Sequence, residues 1–307
     1  MRFRPWQVCL ALAVLCFGAI GVMEWMRSRR DISDQALLLR LPAQEDGVHL
    51  FADVQKLRQA GFLDMIAGSP AAEETDYREF VKATGFDYRQ DLDAIVGSFR
   101  FDKTCFLLRG RFQWDQIRQY GISKGASCLN GYCESETSTP GRWISFFMIA
   151  PTVLAVAFSD SGGGAAAAMA LRPVPPDFFI PEQPLWIRLP KRVLTNTDSM
   201  RPGTRAFFTA VKDAQRVTLG IGSNQEKLEV EMLAQFASQA DADKTLKQLG
   251  DMTDLLKKMI AREKAKPSPT DLSGILTAGR FERNGTRVVG RWPVERDFLE
   301  SIAKGSM

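Results

Sequence analysis

Between Leu228 and Phe236 the chain alternates with a period of two. Leu228, Val230, Met232, Ala234 and Phe236 are apolar or small, and Lys227, Glu229, Glu231 and Gln235 fall between them. Such a segment has one face for a core and one for water, which an antiparallel sheet provides. Val217, Leu219 and Ile221 alternate just before it, and Gly222-Ser223-Asn224-Gln225 supplies the turn, so the two runs form a hairpin. Ser238-Gln239-Ala240-Asp241 then opens a helix in the manner of a capping box. Ala242, Leu246, Leu249, Thr253, Leu256 and Ile260 recur at steps of three and four with charged residues between, giving an amphipathic helix to lay on that sheet. The expected fold class is α+β, with antiparallel sheets carrying helices on one face.

The same grammar runs through the earlier chain. Val48–Val54 reads as a strand, Ile95–Arg100 and Thr104–Arg111 as a pair, and Trp143–Ile149 with Thr152–Phe158 as a hairpin through Ala150-Pro151. Leu57 to Ile66, a segment opening at Ser69-Pro70 and stopping at Gly85, Phe112–Tyr120 and Ala165–Leu171 read as helices. Pro173, Pro175, Pro176, Pro181 and Pro184 make 173–184 an extended connection, because proline neither continues a helix nor joins a central ladder. Leu185–Leu189 is a strand and Gly203–Lys212 a helix. A short helix reaches Thr277, Asn284-Gly285 turns a last hairpin, and Pro293 opens a terminal helix. Gly110-Arg111-Phe112 and Gly290-Arg291-Trp292 each close a strand ahead of a short helix, which suggests two duplicated halves, 45–172 and 185–307, with a single domain on one continuous sheet as the alternative.

Pro5 to Met26 stands apart. Its uncharged part, Pro5 to Met23, is about 19 residues long, close to a ~30 Å hydrocarbon core at ~1.5 Å per residue. Trp6 and Trp25 fall near its ends, where amphipathic rings favour the membrane boundary, and Arg27, Arg29 and Arg30 follow. We read 5–26 as a transmembrane signal-anchor and 27–44 as a juxtamembrane linker. A signal peptide cleaved near Ala19-Ile20-Gly21 is the alternative, and Leu15 is too large to precede a lipidated Cys16. The net charge of +4 belongs to this end: five arginines against Glu24 in the first thirty residues account for it. The remainder is neutral and lacks the basic surface of a nucleic-acid binder.

The flanking arginines leave orientation undecided, and the cysteines bear on it. In Cys128-Leu129-Asn130-Gly131-Tyr132-Cys133, Asn-Gly suits a two-residue type I′ turn. Leu129 and Tyr132 pair next to the turn, and Cys128 and Cys133 face each other one step out, in the closer non-hydrogen-bonded arrangement. They are a candidate disulfide, with two facing thiols as the alternative. A disulfide would place the domain in an oxidising compartment. Cys105, in an apolar run, reads as an inert buried thiol.

No stretch carries a catalytic, cofactor or metal signature. His49, the chain's single histidine, lies on a strand and reads as a packed or partly exposed side chain rather than a catalyst. Asp87, Asp91 and Asp93 in FDYRQDLD lack the ligand spacing of an EF-hand and suit caps and turns. Ser159-Asp160-Ser161-Gly162-Gly163-Gly164 has no Gly-Lys-Ser/Thr and fails the dinucleotide spacing, so it reads as a strand-to-helix turn. Lys257, Lys258, Arg262, Lys264 and Lys266 complement a helix C-terminus rather than form a patch for lipid or acid.

LRLPA at 40–44, TGFDYRQDLD at 84–93, RGRF at 109–112, the C-x4-C hairpin and GRWISF at 141–146 resemble uncharacterised single-pass, membrane-anchored bacterial envelope proteins. That resemblance implies a single-pass envelope protein and brings no activity to carry over. The expectation is a membrane-tethered extracytoplasmic domain of the bacterial inner membrane, binding or structural in role. Its partners are the bilayer through 5–26 and an envelope protein, with no nucleic acid and no cofactor. The rival expectations are an envelope enzyme using carboxylate or Ser/Lys chemistry, and a small-molecule or lipid carrier.

Overall fold

The computed structural model describes residues 32–41, 47–63, 75–169, 179–195, 202–224, 227–262 and 272–295. The apolar run 5–26 lies outside them, with Trp6, Trp25, Arg27, Arg29 and Arg30. So do residues 173–178 of the proline-rich connection and 296–307, where most of the expected terminal helix falls. Among the described residues no helix is long and apolar enough to cross a membrane.

Among the described residues twelve strands join one antiparallel sheet: β1 (Val48–Asp53), β2 (Leu92–Phe99), β3 (Lys103–Gly110), β4 (Ser127–Leu129), β5 (Tyr132–Glu136), β6 (Trp143–Ala150), β7 (Val153–Ser159), β8 (Leu185–Pro190), β9 (Arg216–Asn224), β10 (Lys227–Gln235), β11 (Arg280–Asn284) and β12 (Arg287–Val294). Their order is β11-β12-β10-β9-β8-β1-β2-β3-β7-β6-β5-β4. The helices are α1 (Asp34–Arg40), α2 (Val54–Gln59), α3 (Thr75–Thr84), α4 (Tyr88–Asp91), α5 (Trp114–Ser123), α6 (Lys191–Thr195), α7 (Pro202–Val211), α8 (Gln239–Arg262) and α9 (Leu272–Thr277), with a 3-10 turn at Gly164–Ala168.

Local chemistry sets the boundaries. The β9–β10 hairpin pairs as its alternation requires, Met232 opposite Leu219 and Glu231 opposite Gly220. Gly85, at φ 67°, ends α3 after Thr84, since a left-handed residue there carries no Cβ penalty. Asp53 closes β1 and at once caps α2, its Oδ1 accepting from the Lys56 N–H at 2.9 Å.

Two expectations at element ends are corrected. Pro293 opens no helix: it lies in β12 opposite Glu229 of β10. The β11–β12 ladder begins at Arg280–Arg291, so Pro293 has no β11 neighbour on its other side and its missing N–H leaves no gap there. Where a helix over Ala165–Leu171 was expected, the chain forms a 3-10 turn at Gly164–Ala168, and residues 170 and 171 lie outside the described ones.

The halves are not separate sheets, because β8 pairs with both β1 and β9. Their strand orders nevertheless correspond. Outward from the β1–β8 seam the sequence is β1-β2-β3-β7-β6 on one side and β8-β9-β10-β12-β11 on the other. Each half opens with a strand running directly into a short helix, β1 into α2 and β8 into α6, and each places a helix after its third strand, α5 after β3 and α8 after β10. The first half adds β5 and β4 beyond β6. The shared Gly-Arg-aromatic string does not mark this correspondence: β3 answers to β10, and β12 to β7.

Helices do not all lie on one face. The larger core gathers Ala52, Leu57, Leu189, Leu194, Val217, Met232, Leu249, Val288 and Trp292 under most of the helices. A second core holds Phe51, Val96, Cys105, Leu107, Ala155, Ala157 and Trp186, covered by Leu37 and Leu41 at α1 and by Ala165 and Ala168 of the 3-10 turn. The central strands bring apolar side chains to both faces, Phe51 beside Ala52 and Leu107 beside Leu108, so both need cover. Residues 34–40 of the expected linker therefore belong to the packed structure. Leu37 is fully buried, and Asp34 accepts from Arg109 at 2.7 Å.

Candidate functional site

The seam between the halves carries the most unusual side chains, on the face opposite the larger core. Across β1 and β8, His49 stands opposite Arg188 and Phe51 opposite Trp186. The Phe51 and Trp186 rings stack at 5.6 Å, and the Arg188 guanidinium lies 5.2 Å from the Trp186 centroid. Arg188 also donates through Nη2 to the Phe179 carbonyl. Its Nε and the Trp186 Nε1 are buried without a hydrogen-bond partner. Burial holds the His49 imidazole down at about 4, and the Arg188 charge adds to the effect, so the ring is neutral near pH 7. His49 is thus a half-buried, neutral side chain beside a cation at the seam.

The other motifs are satisfied from within the chain. Asp87 caps α4, accepting from the Arg89 N–H at 2.9 Å and the Tyr77 hydroxyl at 3.0 Å. Asp91 accepts from the Asp87 N–H at 2.9 Å and pairs with Arg111. In the glycine-rich turn, the Gly163 N–H donates to Glu134 at 3.1 Å and the Ala165 N–H to Ser145 Oγ at 2.9 Å. A carboxylate of the chain thus occupies one of the donors a phosphate would need. Gly164 permits that turn: a Cβ there would stand 2.5 Å from Ser159 Oγ. Among the described residues no cluster of three or more His, Cys, Asp or Glu side chains could hold a metal.

The Cys128–Cys133 disulfide is present. Cys128 pairs with Cys133 and Leu129 with Tyr132, around Asn130 at φ 50° and Gly131 at φ 79°. Both central residues take the positive φ of a type I′ turn, which is why Asn-Gly is found there. The bridge ties down β4, the outermost strand, which spans three residues. Cys105 is fully buried and its thiol is pushed up to about 11, mainly by burial, so it presents no thiolate nucleophile near neutral pH.

The sequence reading did not assemble one cluster. On the second face of β10, β12 and β11, Arg291 lies 3.1 Å from Glu231, 3.9 Å from Glu229 and 2.6 Å from Glu282. Gln183 Nε2 donates to Glu231 at 2.8 Å. Glu229, Glu282, Arg280, Arg291, Pro293 and Glu295 line an open depression of about 790 Å³ beside it. The second core draws no residue from β9 to β12. Alternation placed Glu229 and Glu231 on one face, but nothing local in the sequence pointed to Arg291 as their partner. Chemically, the cluster holds mixed charge on an open sheet face.

Fold and sites together define a mixed α+β domain built on one broad antiparallel sheet with a disulfide at one edge. No protein-family model matches the chain, and no curated protein matches it. Among solved structures it is similar to TP0453 in crystal form I, at 11% identity and a TM-score of 0.47, over 91% of this chain and 98% of that one. Crystal form III gives 11% and 0.46 over 87% and 97%, and form IV 13% and 0.44 over 88% and 95%. At these values the likeness bears on neither activity nor partner.

Proposed function

We propose that this chain is a membrane-tethered binding module of the bacterial envelope. Residues 5–26 hold it in the inner membrane as a single-pass signal-anchor, and the sheet domain stands on the extracytoplasmic side, where it engages a protein or another envelope component. One observation carries the proposal: a Cys128–Cys133 disulfide on a chain that opens with an apolar run of membrane length. Such bridges persist in oxidising compartments, and an N-terminus-in anchor delivers the following domain to one. Trp6, Trp25, Arg27, Arg29 and Arg30 suit the two interfaces of that anchor. A broad sheet face with mixed charge, partly uncovered among the described residues, favours surface recognition over a closed reaction cleft. The matching strand orders of the two halves support an origin by internal duplication.

The test combines membrane extraction with thiol chemistry on the full chain. We expect the protein to stay with the membrane after alkaline carbonate treatment. Cys128 and Cys133 should take an alkylating reagent only after reduction of the denatured protein. A fusion reporter active only outside the cytoplasm should give signal at the C-terminus. Release into the soluble fraction, free native thiols at Cys128 and Cys133, or a silent reporter would each overturn the proposal.

A further inference from the structure

We infer that the β11 edge is a self-complementary docking strand through which two copies of this chain join their sheets about a two-fold axis centred on Phe281. The two outer strands differ. β4 spans three residues and is stapled by the disulfide, whereas β11 spans five and carries no such device. Among the described residues β11 pairs on one side only, and such an outer strand offers a row of N–H and C=O groups to a further strand. The corresponding position in the other half accepts one: β6 is the counterpart of β11, and there β5 pairs along it, Cys133 opposite Phe146.

Register and charge then select the occupant. Asn284 opposite Arg287 closes the β11–β12 hairpin, so Arg280, Glu282 and Asn284 turn their backbone groups toward β12. Phe281 and Arg283 consequently turn theirs outward. An antiparallel copy must pair outward residues with outward residues, which leaves three registers over this strand. Centring on Glu282 sets two glutamates opposite each other, and centring on Arg283 sets two arginines opposite. Centring on Phe281 sets Arg280 opposite Glu282 of the second copy twice over, with Phe281 opposite Phe281 on the larger-core face.

Opposite charges across strands stabilise and like charges oppose pairing, so only the Phe281-centred register is complementary. Arg280 and Glu282 are both exposed and free to meet a second chain, although Glu282 also bonds Arg291 within its own. Phe281 already packs edge-on against Trp292 at 5.4 Å, so the axis would extend an existing aromatic row. The inference does not depend on the membrane anchor.

Full-length chain in detergent, studied by sedimentation equilibrium across a concentration series, tests this with three variants. Arg280→Glu alone and Glu282→Arg alone each place like charges opposite one another twice, and each should weaken self-association about tenfold or more. An equimolar mixture of the two single variants should recover association, because every facing pair is then opposite in sign. So should the double variant R280E/E282R. Circular dichroism of each variant against the parent checks folding. A parent that stays monomeric throughout, association indifferent to the single reversals, or a mixture and double variant that both fail to recover would overturn the inference. Each of these outcomes points to a charged edge that repels added strands, or to another class of occupant.

Discussion

His49 is the chain's single histidine, so its titration can be isolated. In the fold it is held at about 4 by burial and by Arg188, against 6.5 for the exposed side chain. Between those values the unfolded chain takes up a proton that the native chain refuses. Stability therefore rises with pH through the window from about 4 to 6.5 and is level above it. At about 1.4 kcal/mol per pH unit, lowering the pH from 7 to 5 should cost about 2 kcal/mol through this group alone. A His49→Gln variant, which keeps a neutral polar side chain, carries the same carboxylates and so serves as the reference. Urea unfolding of both proteins at pH 7 and pH 5 should show the parent losing about 2 kcal/mol more than the variant, without a change in the urea dependence. A direct NMR titration should find the His49 ring neutral at pH 5. Equal losses in the two proteins, or a ring that protonates near pH 6.5, would refute the account of a neutral, buried imidazole at the seam.

Three further outcomes follow from the packing. Cys128→Ser with Cys133→Ser should cost about 2 kcal/mol in urea unfolding, the scale for closing so short a loop, and added reductant should then leave stability unchanged. Gly110→Ala should cost about 2–3 kcal/mol, because a Cβ there overlaps the Asp91 carbonyl oxygen where β3 meets β2, and backbone on that side cannot swing away. Thermal unfolding checks it, and an unchanged midpoint would count against the close approach. Arg291→Ala leaves Glu229, Glu231 and Glu282 facing one another; it should cost about 1 kcal/mol or less at low salt, these groups being part-exposed, and the loss should shrink as salt is added.

The sequence was most legible where the signal is local and periodic. The β9–β10 hairpin, the α8 amphipathic helix and the Cys128–Cys133 turn follow from residues within a turn or two of one another, through side-chain alternation, helical spacing and Asn-Gly geometry. Pro293 misled because proline suits both a helix start and a strand position with one unpaired side, and the choice depends on where β11 ends. In the glycine-rich turn the Gly163 N–H finds its acceptor in Glu134, which lies on β5, out of reach of any local pattern. The Gly-Arg-aromatic string suggested two halves at strands the topology does not equate; strand order reveals the correspondence.

By itself, the chain determined most of its elements, its α+β class and the register that sets its two hairpin cysteines face to face, since backbone preference and side-chain period act over a few residues. Tertiary structure alone decided that both halves share one sheet, that α1 and the 3-10 turn cover a second face, and that His49 meets Arg188 and Arg291 meets three glutamates. His49–Arg188 joins residues 139 positions apart and Arg291 reaches Glu231 and Glu229 across 60 and 62, while Glu282 lies nine away on the neighbouring hairpin strand. Non-local burial writes no fixed spacing into the sequence, and so the seam and the charged edge became visible only in the folded protein.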